Sequence, residues 1–340
     1  MTSPAPLCAD GARARQDDLV GTAAPARRWL LIEHPGPWAV DALGGSGIEA
    51  EVQDRLRRAA AGAGARILLV RRPGRGPARE VRRWAIVDAD AGADADADAD
   101  AEGDTDADPE AHPDAAAEAD AADAIFGPPA AHWGSWRSGA DLLSCVAGLE
   151  DGPGKRPRTT TNEPLLLVCA HGRHDTCCAV RGRPVAARLA ERWPVGTWEC
   201  SHVGGDRFAA NLLVLPGGAC YGNLDPDNVV EVVQSHLEDR VSVEHLRGVS
   251  TQPPVGQAAV AAVLRRFGPA GLSQVAVRRI QQQGEESWSV VLAGSGPLPR
   301  AVKATVVRSR LAPARLTCRA SGPTSAYRYD VPDLRVPGAP

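Results

Sequence analysis

Residues 165–226 concentrate the groups that could do chemistry, holding five of the eight cysteines and three of the eight histidines of this 340-residue chain. Cys169, Cys177, Cys178, Cys200 and Cys220 are interleaved with His171, His174 and His202. Eight cysteines are too sparse for a disulfide scaffold in so long a chain. In a reducing compartment, clustered cysteines point instead to metal or redox chemistry. Thiolates and imidazoles are the ligands of zinc and of iron-sulfur centres, and carboxylates such as Asp206 can join them.

These residues need elements that bring them together. The apolar run Leu165–Cys169 suits a strand buried on both faces, with Cys169 at its end. After the polar loop 170–176, Val180, Val185, Leu189 and Trp193 mark a helix, interrupted only by Gly182 and Pro184. Cys178 then lies near a helix N-terminus, where free N–H groups and the helix dipole favour thiolate over thiol. A second strand, Val195–Cys200, delivers Ser201 and His202 to its end, and Gly204-Gly205 lets the chain turn closely there. Strands 212–215 and 219–221 flank the hairpin turn Pro216-Gly217-Gly218, and a helix over 227–237 closes the unit. The order strand, helix, strand, hairpin, helix is that of a thioredoxin-like domain.

The segments VCAHGRHDTCC and SHVGGDRFAANLLVLPGG resemble the sucrase/ferredoxin-like family of thioredoxin-like [2Fe-2S] proteins. The similarity extends upstream through GTAAPARRWLLIEHPGPWAVDAL and RILLVRRPGR, and so covers most of the chain to Leu237. It implies an electron carrier whose [2Fe-2S] cluster is held by Cys169, Cys178 and His202. Members with two histidine ligands carry HxGGH, and here Asp206 stands where the second histidine would be. Asp206 is the first candidate for fourth ligand and Cys200 the alternative. Arg207, Asn211, His171 and His174 are expected around the centre: Arg207 pairing with a carboxylate or adding positive charge, Asn211 holding the loop, and the histidines as second-shell donors or exposed loop residues. Cys177 and Cys220 read as small buried apolar residues, and Cys8, Cys145 and Cys318 as structural.

Other classes are kept open. A thiol-disulfide or peroxide-reducing enzyme would use Cys177-Cys178, a poor substitute for C-x-x-C, and a zinc-stabilised interaction module could use the same ligands. No paired carboxylates form an identifiable sugar site, so sucrase activity is not expected. A net charge of −4 gives no support to nucleic-acid binding. No stretch reads as a signal peptide or a membrane span, which makes the cytoplasm the expected compartment, and an unidentified reductase or acceptor protein the expected partner.

Around the central domain, 160–240, the fold class expected is α/β, with an N-terminal α/β half over 18–150 and a small C-terminal α+β module over 250–335. The N-terminal half has strands at 29–33, 65–71 and 84–87 and helical character over 48–63; residues 1–20 look polar and mobile. His34 and the Arg71–Arg75 loop read as an ordinary loop histidine and a solvated basic loop. Residues 88–123, dominated by Ala and Asp, read as a disordered acidic insertion. Asp98, Asp100, Glu102 and Gly103 imitate the start of a calcium loop, but its terminal Glu position falls on Pro109. The C-terminal module has a helix over 255–267 and alternating strands at 275–280, 288–292, 301–307 and 315–319.

Overall fold

A computed structural model describes residues 7–74, 80–89, 131–161 and 163–338. The expectations for the acidic insertion and its calcium-like stretch fall, apart from Asp88 and Ala89, outside the described residues.

The N-terminal part contains α1 (Cys8–Arg15), β1 (Arg28–Glu33), α2 (Ala50–Gly62), β2 (Ala65–Arg71), β3 (Arg82–Asp88), β4 (Ala131–Trp136), α3 (Leu143–Glu150) and the short β5 (Thr160–Thr161). The central part contains β6 (Leu165–Cys169), α4 (Thr176–Arg192), β7 (Thr197–Cys200), β8 (Leu212–Leu215), β9 (Ala219–Tyr221), α5 (Val229–Leu237) and β10 (Leu246–Val249). It is followed by α6 (Pro254–Phe267), β11 (Val275–Gly284), β12 (Ser287–Gly294), β13 (Ala301–Arg310) and β14 (Tyr327–Arg335).

The fold is mixed α/β. Among the described residues, ten strands form one sheet in the order β10-β9-β8-β6-β7-β2-β1-β3-β4-β5, and β11 to β14 form a separate four-stranded sheet. The large sheet is continuous because β2 pairs antiparallel with β7 through Val70↔Cys200 and Arg71↔Glu199. The Arg71–Glu199 ion pair (2.7 Å) and the bond from the Leu69 N–H to Ser201 Oγ (3.0 Å) reinforce that join.

Period-2 alternation explains why β6 reads as an unbroken apolar run. Leu166 and Val168 face a core shared with α4, α5 and α6, whereas Leu165, Leu167 and Cys169 face the opposite core with Trp29, Leu31, Trp198 and Leu213. Both faces of the strand leave water, so both sets of positions are apolar. Gly182 lies in α4 because a Cβ there would collide with the carbonyl oxygen of Cys169. That close approach seats the helix against the end of β6, beside the first cysteine.

The alternation in the C-terminal module also has its expected cause. Val290, Leu292, Val302, Ala304 and Val306 pack inward with α6, while the intervening residues of β13 are exposed or half-exposed.

Two expectations are corrected. Residues 315–319 form no strand: the chain makes only an isolated bridge, Ala314↔Thr324, and the fourth strand is β14. The backbone there is drawn to a buried carboxylate instead, since the Cys318 N–H and the Thr317 hydroxyl both donate to Asp175. The described part of the first twenty residues is ordered, with α1 burying Cys8, Ala9 and Ala12. Its charged side chains hide this packing from a composition reading: Arg13 pairs with Asp225 at 2.9 Å, and Asp10 pairs with Arg181 of α4.

Candidate metal centre

Strands β6 and β7 run parallel with Cys169 opposite Cys200, so the chain segments after both strands emerge at the same sheet edge. This is where open α/β sheets place their sites. Beyond β6 the chain turns through residues 170–175 into α4, whose N-cap Asp175 accepts a hydrogen bond from the Cys177 N–H at 2.8 Å. Such a cap contributes about 1 kcal/mol and fixes the direction of the helix's first turn. Cys178, the third residue of α4, is thereby set beside Cys169. Beyond β7, His202 comes back over both.

Ligand atoms of Cys169, Cys178 and His202 all lie within 4.8 Å of one another. A second set, His174, His202 and Asp206, meets the same criterion and shares His202. The His174 and His202 rings stack at 3.7 Å between centroids. Asp206 accepts from the Cys178 sulfur at 3.3 Å and stands 3.0 Å from His202 Nδ1 and 3.9 Å from His174 Nε2. His202 Nδ1 is buried without an aligned hydrogen bond. Two soft sulfurs, an imidazole nitrogen and an adjacent carboxylate form a donor set that fits a thiolate- and imidazole-binding metal or cluster.

Cys200 falls outside both sets. It is fully buried in the core that contains Trp198 and Val203. Burial pushes its thiol well up, and the negative charge of Cys169 adds to this.

Cys169 and Cys178 form a buried pair whose ionisation is pushed in opposite directions. A hydrogen bond from Cys178 is the main cause that draws Cys169 well below the ordinary thiol range, and contact with His202 adds to it. Cys178 is held high because it donates that bond and because burial and Asp206 also oppose its ionisation. Burial works against a charged His202, but the Asp206 carboxylate and the Cys169 sulfur outweigh it, and His202 is pushed up to about 9. Asp206 is lowered despite its burial, chiefly by His202.

The surrounding residues take distinct places. Asn211 holds the loop, donating to the Gly205 carbonyl at 2.9 Å. Arg207 faces Asp17 at 3.4 Å and lies over the Phe208 ring, so it pairs with a carboxylate. His171 is not an exposed loop histidine: it is buried, its Nε2 meets the Ala39 carbonyl at 2.6 Å, and Trp38 packs edge-on against its ring. His174 is half-buried and belongs to the second ligand set. His34 is engaged with the Ser46 carbonyl at 2.8 Å and lies outside both sets. Cys220 is buried and its thiol is pushed up to about 11 by burial.

One residue of the site escaped the sequence reading. Arg247, from β10, is fully buried behind the Gly204-Gly205 loop. It donates to the Gly204 carbonyl (3.0 Å), to Asn211 Oδ1 (3.0 Å), to Thr22 Oγ1 (3.1 Å) and to the Thr22 carbonyl. Gly205 has φ +76°, and a Cβ there would run into this guanidinium. Nothing in its local sequence, HLRGVS, marks Arg247. The only available signal was the paired glycine, which needs something large behind it.

The site opens to solvent through a cleft of about 290 Å³ lined by Asp41, Arg57, His171, His174, Ser201 and His202. His174 and His202 keep 32% and 26% of their side chains exposed, whereas Cys169 and Cys178 are each 1% exposed. Only the histidine edge of the centre faces outward.

Cys8, Cys177 and Cys318, read as structural or merely buried, converge with Asp175 on the other side of the α4 N-terminus. Cys177 is lowered to about 7, mainly because Cys8 donates to its sulfur.

A family model described as sucrase/ferredoxin-like matches residues 19–248. No curated protein and no solved structure matches the chain. Among the described residues no helix is long and apolar enough to cross a membrane.

Proposed function

The chain belongs to the sucrase/ferredoxin-like family, and from that premise we propose that it is an electron-transfer protein whose Cys169, Cys178, His202 and Asp206 hold a [2Fe-2S] cluster. One observation carries the reading. Two ligand sets adjoin through His202, one rich in sulfur and one of nitrogen and oxygen donors. A [2Fe-2S] cluster takes four protein ligands, two to an iron, and Cys169, Cys178, His202 and Asp206 supply that number from the two sets. The strand order β7-β6-β8-β9, with α4 and α5 in the connections, supports a thioredoxin-like unit over 160–240 as the scaffold.

When bound, the cluster supplies one-electron chemistry at a potential that histidine ligation raises. The chain's own residues set the conditions. The buried cysteines exclude water from the sulfur side, and the half-exposed rings of His174 and His202 form the edge that a partner protein can approach. Arg247 places a fixed positive charge behind the anionic ligands, and Asn211 locks the loop that carries them.

Three compact donors, Cys169, Cys178 and His202, also suit a single zinc ion, which gives the second reading. Anaerobic purification separates the two. A red-brown protein with equal amounts of iron and acid-labile sulfide supports the cluster, and a colourless zinc protein that loses its zinc in Cys169→Ser supports the second. A metal-free protein with reactive thiols would overturn both and leave a thiol-based reductase.

A further inference from the structure

The second cysteine cluster does not belong to the centre described above. Cys8 opens the first turn of α1, Cys177 lies in the first turn of α4, and Cys318 lies in the loop between β13 and β14. Their sulfurs nevertheless form a triangle with sides of 3.5 Å (Cys8–Cys177), 3.3 Å (Cys177–Cys318) and 3.6 Å (Cys8–Cys318). Asp175 closes the group, its carboxylate oxygens 3.7 and 3.8 Å from the Cys8 sulfur.

We propose that Cys8, Cys177, Cys318 and Asp175 form a structural zinc site, separate from the electron-transfer centre. Size decides the class of occupant. Zinc–sulfur bonds of about 2.3 Å in tetrahedral geometry put sulfurs about 3.8 Å apart. The triangle is already within a few tenths of an ångström of that spacing. Three soft sulfurs with one carboxylate suit zinc better than the harder divalent cations.

The surroundings are built for thiolate charge. The Cys8 N–H points at the Cys318 sulfur (3.4 Å) and the Ala9 N–H at the Cys177 sulfur (3.5 Å). Asp175 is fully buried and firmly oriented: it accepts from the Cys177 N–H (2.8 Å), the Thr317 hydroxyl (2.8 Å) and the Cys318 N–H (2.5 Å). Three of its roughly four acceptor positions are thereby filled, which leaves one for the side facing the sulfurs. Cys8, Cys177 and Asp175 are buried, and only Cys318 is partly exposed, giving the closed first shell of a structural site rather than the open position of a catalytic one. The ligands come from segments separated by 169 and 141 residues, so one ion would tie α1, α4 and the C-terminal module together.

The inference stands whether or not the other centre binds a cluster, and the test keeps the two apart. Full-length protein, expressed with zinc supplementation and purified anaerobically with reductant, is assayed for zinc, iron and sulfide. Wild type should retain one zinc per chain through desalting against a weak chelator. Cys8→Ser and Cys318→Ser should lose it and keep their iron and sulfide, and Cys169→Ser should do the opposite. Should a serine variant not fold, a mercurial titration of folded wild type must release the same zinc. Wild type without zinc, zinc that survives both variants, zinc lost in Cys169→Ser instead, or a disulfide among the three cysteines in protein alkylated under reductant would each overturn the proposal. Absent iron with zinc that depends on Cys318 would remove the cluster reading and leave this one intact.

Discussion

Cys177 and Cys178 are joined by one peptide bond, yet their sulfurs serve different clusters: Cys177 lies 3.3 Å from Cys318, and Cys178 donates to Asp206 at 3.3 Å. Successive residues in a helix point about 100° apart. A cysteine pair at the start of α4 therefore feeds two sites, provided each flank of the helix has its own partners.

Replacing the two sulfur ligands tests the first centre. Cys169→Ser and Cys178→Ser should each lose most of the iron and sulfide, because a hydroxyl is a poor substitute for a soft thiolate. Cys200→Ser should keep both, since Cys200 belongs to neither ligand set. Normal metal content in the first two variants would remove the assignment.

For the fourth position, the ligand set around His202 holds both Asp206 and His174, which makes His174 the competitor of the proposed Asp206. Asp206→Ala should make the cluster labile, while Asp206→His should retain it at a higher potential, as neutral imidazole replaces an anion. Loss of the cluster in His174→Ala, with Asp206→Ala unaffected, would transfer the role to His174. Cluster half-life in air and redox titration read out both variants.

A pH dependence follows for the metal-free protein. His202 is raised to about 9 in the fold, against about 6.5 in an unfolded chain. Its contribution to stability is thus fully present below about pH 6.5 and lost as pH rises through about 9. Denaturation of apoprotein at pH 6 and pH 10 should show a larger drop for wild type than for His202→Gln. An equal drop in both would mean that the Asp206 and Cys169 contacts do not hold the imidazolium.

Arg247→Gln removes a buried cation and strands its acceptors on Thr22, Gly204 and Asn211. The expected loss is on the order of 3 kcal/mol in chemical denaturation, together with a lower potential in whatever redox centre is bound. Stability near wild type would show that the guanidinium does not hold the Gly204-Gly205 loop in place.

Shortening the acidic segment is the last test. Val87 and Ala131 are cross-strand partners in β3 and β4, so the ends are already side by side. Replacing residues 91–128 with two glycines should leave thermal stability and metal content close to wild type. A large loss of either would assign the segment a part in the fold.

Much of the central unit was legible because its signals are local. The β6 run, the Pro216-Gly217-Gly218 turn and the spacing between Cys169 and Cys178 all lie within a few residues of the structure they specify. What was missed is non-local. The Cys8, Cys177 and Cys318 cluster joins segments more than a hundred residues apart, and nothing near Cys8 or Cys318 says that they meet. Arg247 is likewise defined by contacts with Thr22, Gly204 and Asn211, none of them neighbours in the chain. The missing strand over 315–319 failed for the opposite reason: its alternation was real, but Asp175 captured the Cys318 N–H, which a strand would have used.

The short pairing of β2 with β7 makes the two halves of the molecule answerable to each other. The Ser201 N–H donates to the Leu69 carbonyl at 2.8 Å, and His202 follows directly. Any fluctuation that parts the halves must first release that amide and then the loop bearing His202. Amide exchange at Ser201 should consequently slow when the metal centre is filled and quicken when it is emptied, so that one backbone proton reports the loading of the site from within the sheet.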